Sequence, residues 1–308
     1  MELLRTPEER FHNLPDYDFP PTYVEIPSGE GETIRCHVVD LGPKDAHTTV
    51  LLLHGEPSWS YLYRHMIPGL VAQGYRVVAP DLVGFGKSDK PAHRSDYTYA
   101  AHVEWLTAVV FQALELDHLT LFCQDWGGLL GLRLVAANPE KFDRVVVSNT
   151  GLPTGTGRQT KAFLAWQNFS QTSEVFPIGN IVNGGSVREL TPPEIAAYDA
   201  PFPDETFKEG ARQFPSLVPS TPDNPEREAN ERAWEHLEQF DKPFLVAFSD
   251  QDPVSRGTDG IFAKRIPGTK GQAHTTMIGG GHFLQEDCPD ELVALLVSFI
   301  EDSTVAET

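Results

Sequence analysis

The chain has 308 residues, 40% of them hydrophobic, enough to bury a full core as one large domain with an insertion or as two domains. Its formal charge of −20 and pI near 4.8 disfavour nucleic acid and anionic membrane surfaces as partners, because the summed field repels both. Three cysteines, Cys36, Cys123 and Cys288, scattered along so long a chain do not read as a disulfide framework, so a reducing, cytoplasmic setting is expected.

The opening stretch Met1 to Arg10 has no apolar targeting run, and no later stretch approaches the ~20 apolar residues of a membrane span. Apolar runs of strand length follow at Thr49–Leu53, Arg76–Pro80, Leu119–Cys123, Arg144–Ser148, Phe244–Phe248 and Thr275–Ile278. Helical spacing appears at Leu106–Leu116, Leu129–Ala137 and Leu292–Ile300. This alternation, with strands too uniformly apolar for a one-sided sheet, predicts an α/β fold: a mostly parallel sheet flanked by helices. Between Gly151 and Arg232 the alternation stops, and prolines, aromatics and short helix-like pieces take over. Residues 1–150 and 233–308 are therefore expected to form the core, and 151–232 a helical cap over the C-terminal edge of the sheet, where open α/β sheets bind ligands.

The chemistry sits at strand ends. Leu119–Cys123 runs into Gln124-Asp125-Trp126-Gly127-Gly128 and then a helix, a strand-turn-helix elbow that exposes the side chain at its apex. In esterases the apex residue is serine; here it is Asp125. A serine that displaced a leaving group from saturated carbon would become an ether, whereas aspartate becomes an ester that water can cleave, so the carboxylate points to an alkylating substrate: a carbon bearing halide, or an epoxide. Taken alone, Asp125 reads equally as a helix N-cap.

Strand Thr49–Leu53 leads into His54-Gly55-Glu56-Pro57-Ser58-Trp59. The backbone N–H groups of Glu56 and Trp126 are placed to form an oxyanion hole at Asp125, and losing one such donor typically costs about 10²–10³ in rate. His54 reads as structural, and the Glu56 side chain as either a holder of the hydrolytic water or a polar link. The glycine-rich loop Ile278-Gly279-Gly280-Gly281-His282-Phe283 offers His282 as the general base. After strand Phe244–Phe248 come two carboxylates, Asp250 and Asp252; the Asp252-Pro253 step that begins the turn favours Asp252 as the acid that orients His282. Gly84-Phe85-Gly86-Lys87-Ser88 ends like a phosphate loop but has Asp81 where the first glycine belongs, and no His/Cys cluster has metal-ligand spacing.

Asp125-Trp126-Gly127-Gly128, the run His54 to Arg64, Asp252 and Gly281-His282-Phe283 together resemble the haloalkane dehalogenases of the α/β-hydrolase superfamily, and among them the subfamily of the Xanthobacter enzyme, whose acid follows the later strand. The likeness spans nearly the whole chain, including cap segments Ala162–Trp166 and Ala197–Asp204. It implies hydrolysis of a haloalkane to a primary alcohol, halide and a proton through an aspartyl ester. It implies halide binding by Trp126 and Trp166, and an apolar pocket lined by Phe163 and Phe214. A small haloalkane and a halide ion are the implied partners, with no organic cofactor or metal, and a monomer is expected. An epoxide hydrolase shares the elbow aspartate, the next tryptophan and the histidine, but uses two cap tyrosines; between Gly151 and Arg232 this chain has only Tyr198. A non-catalytic hydrolase fold used for binding is the remaining alternative.

Overall fold

The apolar runs pair into one eight-stranded sheet built from β1 (Thr22–Pro27), β2 (Thr33–Leu41), β3 (Thr49–Leu53), β4 (Arg76–Pro80), β5 (Leu119–Gln124), β6 (Phe142–Ser148), β7 (Phe244–Ser249) and β8 (Thr275–Met277). The computed structural model describes residues 1–305 apart from residues 30 and 158. Across the sheet the order is β8-β7-β6-β5-β3-β4-β2-β1. Only β2 breaks the parallel pattern, running antiparallel to β1 and to β4. All five residues of β3 and all six of β5 are buried, as continuous apolar runs require when helices cover both faces. Strands β1 and β2 were not among the expected ones. Each mixes polar with apolar residues: the edge strand β1 buries only Ile26, and β2 beside it leaves four of its nine residues partly in water, so they lack the uniform apolarity of the central strands.

Flanking the sheet are α1 (Ile67–Ala72), α2 (Tyr99–Thr107) and α3 (Trp126–Ala137). Helix α2 begins before the expected Leu106, because Thr98 Oγ1 caps it by accepting the Ala101 N–H at 3.1 Å; past Thr107 it continues as a π-helical stretch, Ala108–Ala113. Between β6 and β7 lie α4 (Lys161–Thr172), α5 (Ile178–Gly185), α6 (Pro192–Asp199), α7 (Glu209–Leu217) and α8 (Arg227–Leu237). The expected division at residue 232 falls inside α8, which is fastened to the loop after β6 by Trp234 Nε1 donating to Leu152 O at 2.7 Å. After β7 come α9 (Asp259–Arg265), α10 (Leu284–Asp287) and α11 (Pro289–Val305), the last packing against α1. No described helix is long and apolar enough to cross a membrane.

One buried carboxylate ties the loops beyond β3 and β4 together. Asp81, just past β4, accepts the Ser60 N–H and the Lys87 N–H, each at 2.8 Å, and meets His37 Nδ1 at 2.8 Å. The segment Gly84–Ser88 is thus a turn wound around Asp81, and Ser60 holds the far end of the loop that carries Glu56. Burial penalises the Asp81 charge, but His37 and these donors keep its carboxyl well below the usual range. Asp81→Ala should strip three donors of their acceptor and lower the unfolding free energy by about 3–5 kcal/mol in a urea titration; a loss under about 1 kcal/mol would contradict this role.

Candidate active site

Four loops leave the C-terminal ends of β3, β5, β7 and β8 and meet above the same edge of the sheet. The elbow between β5 and α3 holds Asp125 at φ 51, ψ −127, a conformation that costs a residue with a side chain about 1–3 kcal/mol. The surroundings hold it there. Asp125 N–H donates to Asn149 O at 3.1 Å, and its carbonyl accepts the Gly128 N–H at 2.9 Å and Thr150 Oγ1 at 2.7 Å. A Cβ at residue 127 would lie 2.0 Å from Leu53 O, so only glycine lets α3 close against β3. The Asp125 side chain makes no capping bond to α3, which removes the N-cap reading. Instead Oδ1 accepts the Glu56 N–H at 2.8 Å. Trp126, the first residue of α3, has its own N–H among those the helix leaves without an internal partner.

His282 lies between two carboxylates: Nε2 is 3.5 Å from Asp125 Oδ2 and Nδ1 is 3.2 Å from Asp252 Oδ1. Burial disfavours the imidazolium, but Asp252 and then Asp125 outweigh it and raise the His282 pKa to about 10. Burial also opposes charge on Asp252, yet His282, Ser255 Oγ and the Val254 N–H hold its carboxyl well below the usual range. Asp250 points elsewhere, accepting the Gly279 N–H at 2.8 Å on the surface. His54 is fully buried: Leu82 N–H donates to its Nε2 at 3.0 Å, so Nδ1 carries the proton and donates to Gly55 O at 2.8 Å. Burial keeps that ring neutral, as its structural reading requires.

Two residues that sequence reasoning passed over hold the histidine loop. Asn149, at φ 39 just past β6, reaches Gly281 O at 2.9 Å, His282 O at 3.1 Å and Ser249 Oγ at 2.8 Å through Nδ2, while its Oδ1 accepts the Ser249 N–H at 2.9 Å. Gln124 Nε2 donates to His282 O at 3.1 Å and lies 3.2 Å from His282 Nε2. The only sequence signal was position, since each ends a strand of the same edge.

A cavity of about 860 Å³ opens over these groups, lined by Glu56, Asp125, Trp126, Phe163, Trp166 and His282 among others. Phe214 does not line it. Its ring is fully buried behind Trp126, with centroids 4.6 Å apart, and packs on Phe85 and His102, because α7 turns this residue toward the core. The Glu56 carboxyl is buried, with Oε1 lacking a hydrogen-bond partner, and is driven well above the usual carboxylate range by burial first and by Asp125 second. His65, Glu194 and Glu286 cluster closely enough to hold a cation, but both carboxylates are already taken by Arg64 and Arg188.

Because His282 gains its partners only on folding, its stabilising contribution is complete below the unfolded value near 6.5 and is lost as pH rises through about 10. Nitrogen-detected NMR should show the His282 ring titrating near 10, with Asp125→Asn lowering that value. Titration near the unfolded value, unmoved by the substitution, would contradict the two-carboxylate arrangement.

The sequence profile described as the alpha/beta hydrolase fold matches residues 48–289. The chain is 58% identical to a haloalkane dehalogenase of Psychrobacter cryohalolentis, over 98% of this chain and 99% of that one. It is 48% identical to a haloalkane dehalogenase of Mycobacterium marinum, over 97% and 100% of the two chains. Among solved structures, the tetrameric haloalkane dehalogenase DpaA of Paraglaciecola agarilytica superposes with a TM-score of 0.89 at 36% identity, covering 97% of this chain and 99% of the other. With its sheet order, elbow and near full-length identity, the chain belongs to the haloalkane dehalogenase family of the alpha/beta hydrolase fold.

Proposed function

We propose that this chain hydrolyses haloalkanes in two displacements at Asp125, a reading carried by one observation: His282 stands between Asp125 and Asp252 while the other Asp125 oxygen rests on the Glu56 N–H. Oδ2, the oxygen that faces His282 and takes no backbone N–H, attacks the carbon bearing the halide; the carbon–halide bond breaks and its electron pair leaves with the halide. Oδ1 becomes the ester carbonyl, already on the donor that will stabilise the tetrahedral oxyanion. His282, oriented by Asp252, takes a proton from water as the water attacks the Asp125 carbonyl carbon, and collapse frees a primary alcohol and restores the carboxylate. Water's two hydrogens end on the alcohol and in the solvent, so the sum is haloalkane plus water to alcohol, halide and proton.

Trp126 and Trp166 serve the leaving halide. An indole N–H donates without any lone pair to compete as nucleophile, and both rings line the cavity. Phe163 supplies apolar wall. The family whose acid follows the later strand is the proposed subfamily, supported by Asp252 after β7 facing His282. Every group named comes from one chain, so one copy carries the site. Three cysteines without disulfide partners support a cytoplasmic location.

Tyr198 weakens the epoxide reading further. It is fully buried, and its hydroxyl donates to Glu286 rather than facing the cavity, so it has no free proton for an alkoxide. The discriminating experiment offers a short bromoalkane and an epoxide in parallel. Bromide release without diol is expected, and Asp125→Asn should abolish it; diol without bromide would overturn the proposal, and neither product from folded protein would favour a binding role. With His282→Gln the alkyl ester should accumulate as a mass increment on the Asp125 peptide. Sustained halide release without that increment would contradict the two-step scheme.

A further inference from the structure

The loop that carries His282 is held partly by the cap. Gly185, the last residue of α5, accepts the His282 N–H at 2.7 Å and the Phe283 N–H at 3.3 Å through its carbonyl oxygen. The contact leaves no space: a Cβ at residue 185 would come within 2.7 Å of the Phe283 ring. Two residues further on, Val187 and Arg188 donate their N–H groups to Asp287 Oδ1 at 2.9 and 2.8 Å. The other oxygen of the same carboxylate accepts the Gly281 N–H at 2.8 Å. The Val187 N–H also reaches Oδ2, at 3.0 Å, so this one carboxylate joins the cap segment to the histidine loop.

The cap side of this grip is itself anchored. Arg188 Nε donates to Glu286 O at 2.7 Å, and its guanidinium pairs with Glu194 at 2.7 Å and with Glu286. Arg64, fully buried in the core, bridges Glu194 and Glu286 at 2.9 Å each. Two arginines and two glutamates balance, so the cluster carries no net charge into the interior, and segment 185–188 is fixed on α10 next to the histidine.

We propose that Asp287 is a positioning residue for the second displacement: by binding cap segment 187–188 and the Gly281 N–H of the histidine loop with one carboxylate, it sets where His282 stands over the Asp125 ester. The proposal rests on the dehalogenation reading above. It separates the two steps, because alkylation uses Asp125, whose elbow is held by Asn149, Thr150 and Glu56, with the halide donors Trp126 and Trp166, none of which Asp287 hydrogen-bonds, whereas ester hydrolysis needs the ring in register. A misplacement of about 1 Å in a catalytic group can cost about 10²-fold in rate.

The test is steady-state and rapid-quench kinetics with a short bromoalkane on the wild-type chain, Asp287→Ala and Asp287→Asn. Asp287→Ala should lower kcat by about 10- to 100-fold, and KM should fall with it so that kcat/KM, which reports alkylation, stays within about twofold. The first-turnover bromide burst should persist, and alkyl ester should build up on Asp125. Asp287→Asn, which keeps one acceptor oxygen, should show the same pattern to a smaller degree, and it decides the matter if the alanine variant does not fold. Loss of burst amplitude with kcat and kcat/KM falling together would mark a purely structural role and overturn the proposal, as would unchanged kcat with only a lower melting temperature. Absence of bromide release from the wild-type chain would instead sink the dehalogenation reading itself.

Discussion

An imidazole ring held between two carboxylates sets the requirements that the rest of this fold meets. His282, Asp125 and Asp252 come from three strand ends that are far apart in sequence, and their charges favour one another only at short range. Opposite charges about 4 Å apart are worth on the order of 4 kcal/mol at an effective dielectric constant of about 20, which corresponds to about three pKa units. That scale explains how two neighbours overcome the burial of the ring. It also sets the timing of the proposed reaction. Alkylation turns Asp125 into a neutral ester and removes one of the two charges that stabilise the imidazolium. The ring is then more easily deprotonated, and a base is available at the moment when water must be activated.

As the proposed nucleophile Asp125 needs no activating base, and the structure around it is organised for restraint. The elbow holds Asp125 in a strained backbone conformation, one oxygen is fixed by the Glu56 N–H, and Asp81 braces the loop carrying Glu56. The cavity above pairs donors that lack acceptor capacity, Trp126 and Trp166, with apolar wall. The sole tyrosine of the cap is committed to the buried ion cluster instead. Such a site favours a leaving anion over a leaving alkoxide that demands a proton.

The chemical half of the site was legible because the elbow, the Glu56 loop and the histidine loop are local motifs, each a strand end followed by residues that force a tight turn. Asp252 could be chosen over Asp250 from the Asp-Pro step and the family likeness, and burial separates them: Asp252 is inside, whereas Asp250 is on the surface. What was not legible acts across long separations. Asn149 reaches Gly281 over 132 residues, and Asp287 reaches Val187 over 100, and neither contact leaves a periodicity or composition in the chain. Phe214 shows the same limit from the other side, since an aromatic in a cap helix can face the cavity or the core, and the helix phase that decides it depends on packing. The edge strand β1 and its neighbour β2 escaped because their partly exposed pattern resembles loop sequence.

The most direct test of the central claim is a single turnover in heavy-oxygen water with enzyme in excess over a short bromoalkane. Attack of water on the ester carbonyl predicts that the alcohol of that turnover keeps an ordinary oxygen, taken from Asp125, while the heavy isotope appears in the Asp125 peptide. Heavy oxygen in the first-turnover alcohol, with none in that peptide, would mean that water displaces the halide directly and would contradict the account.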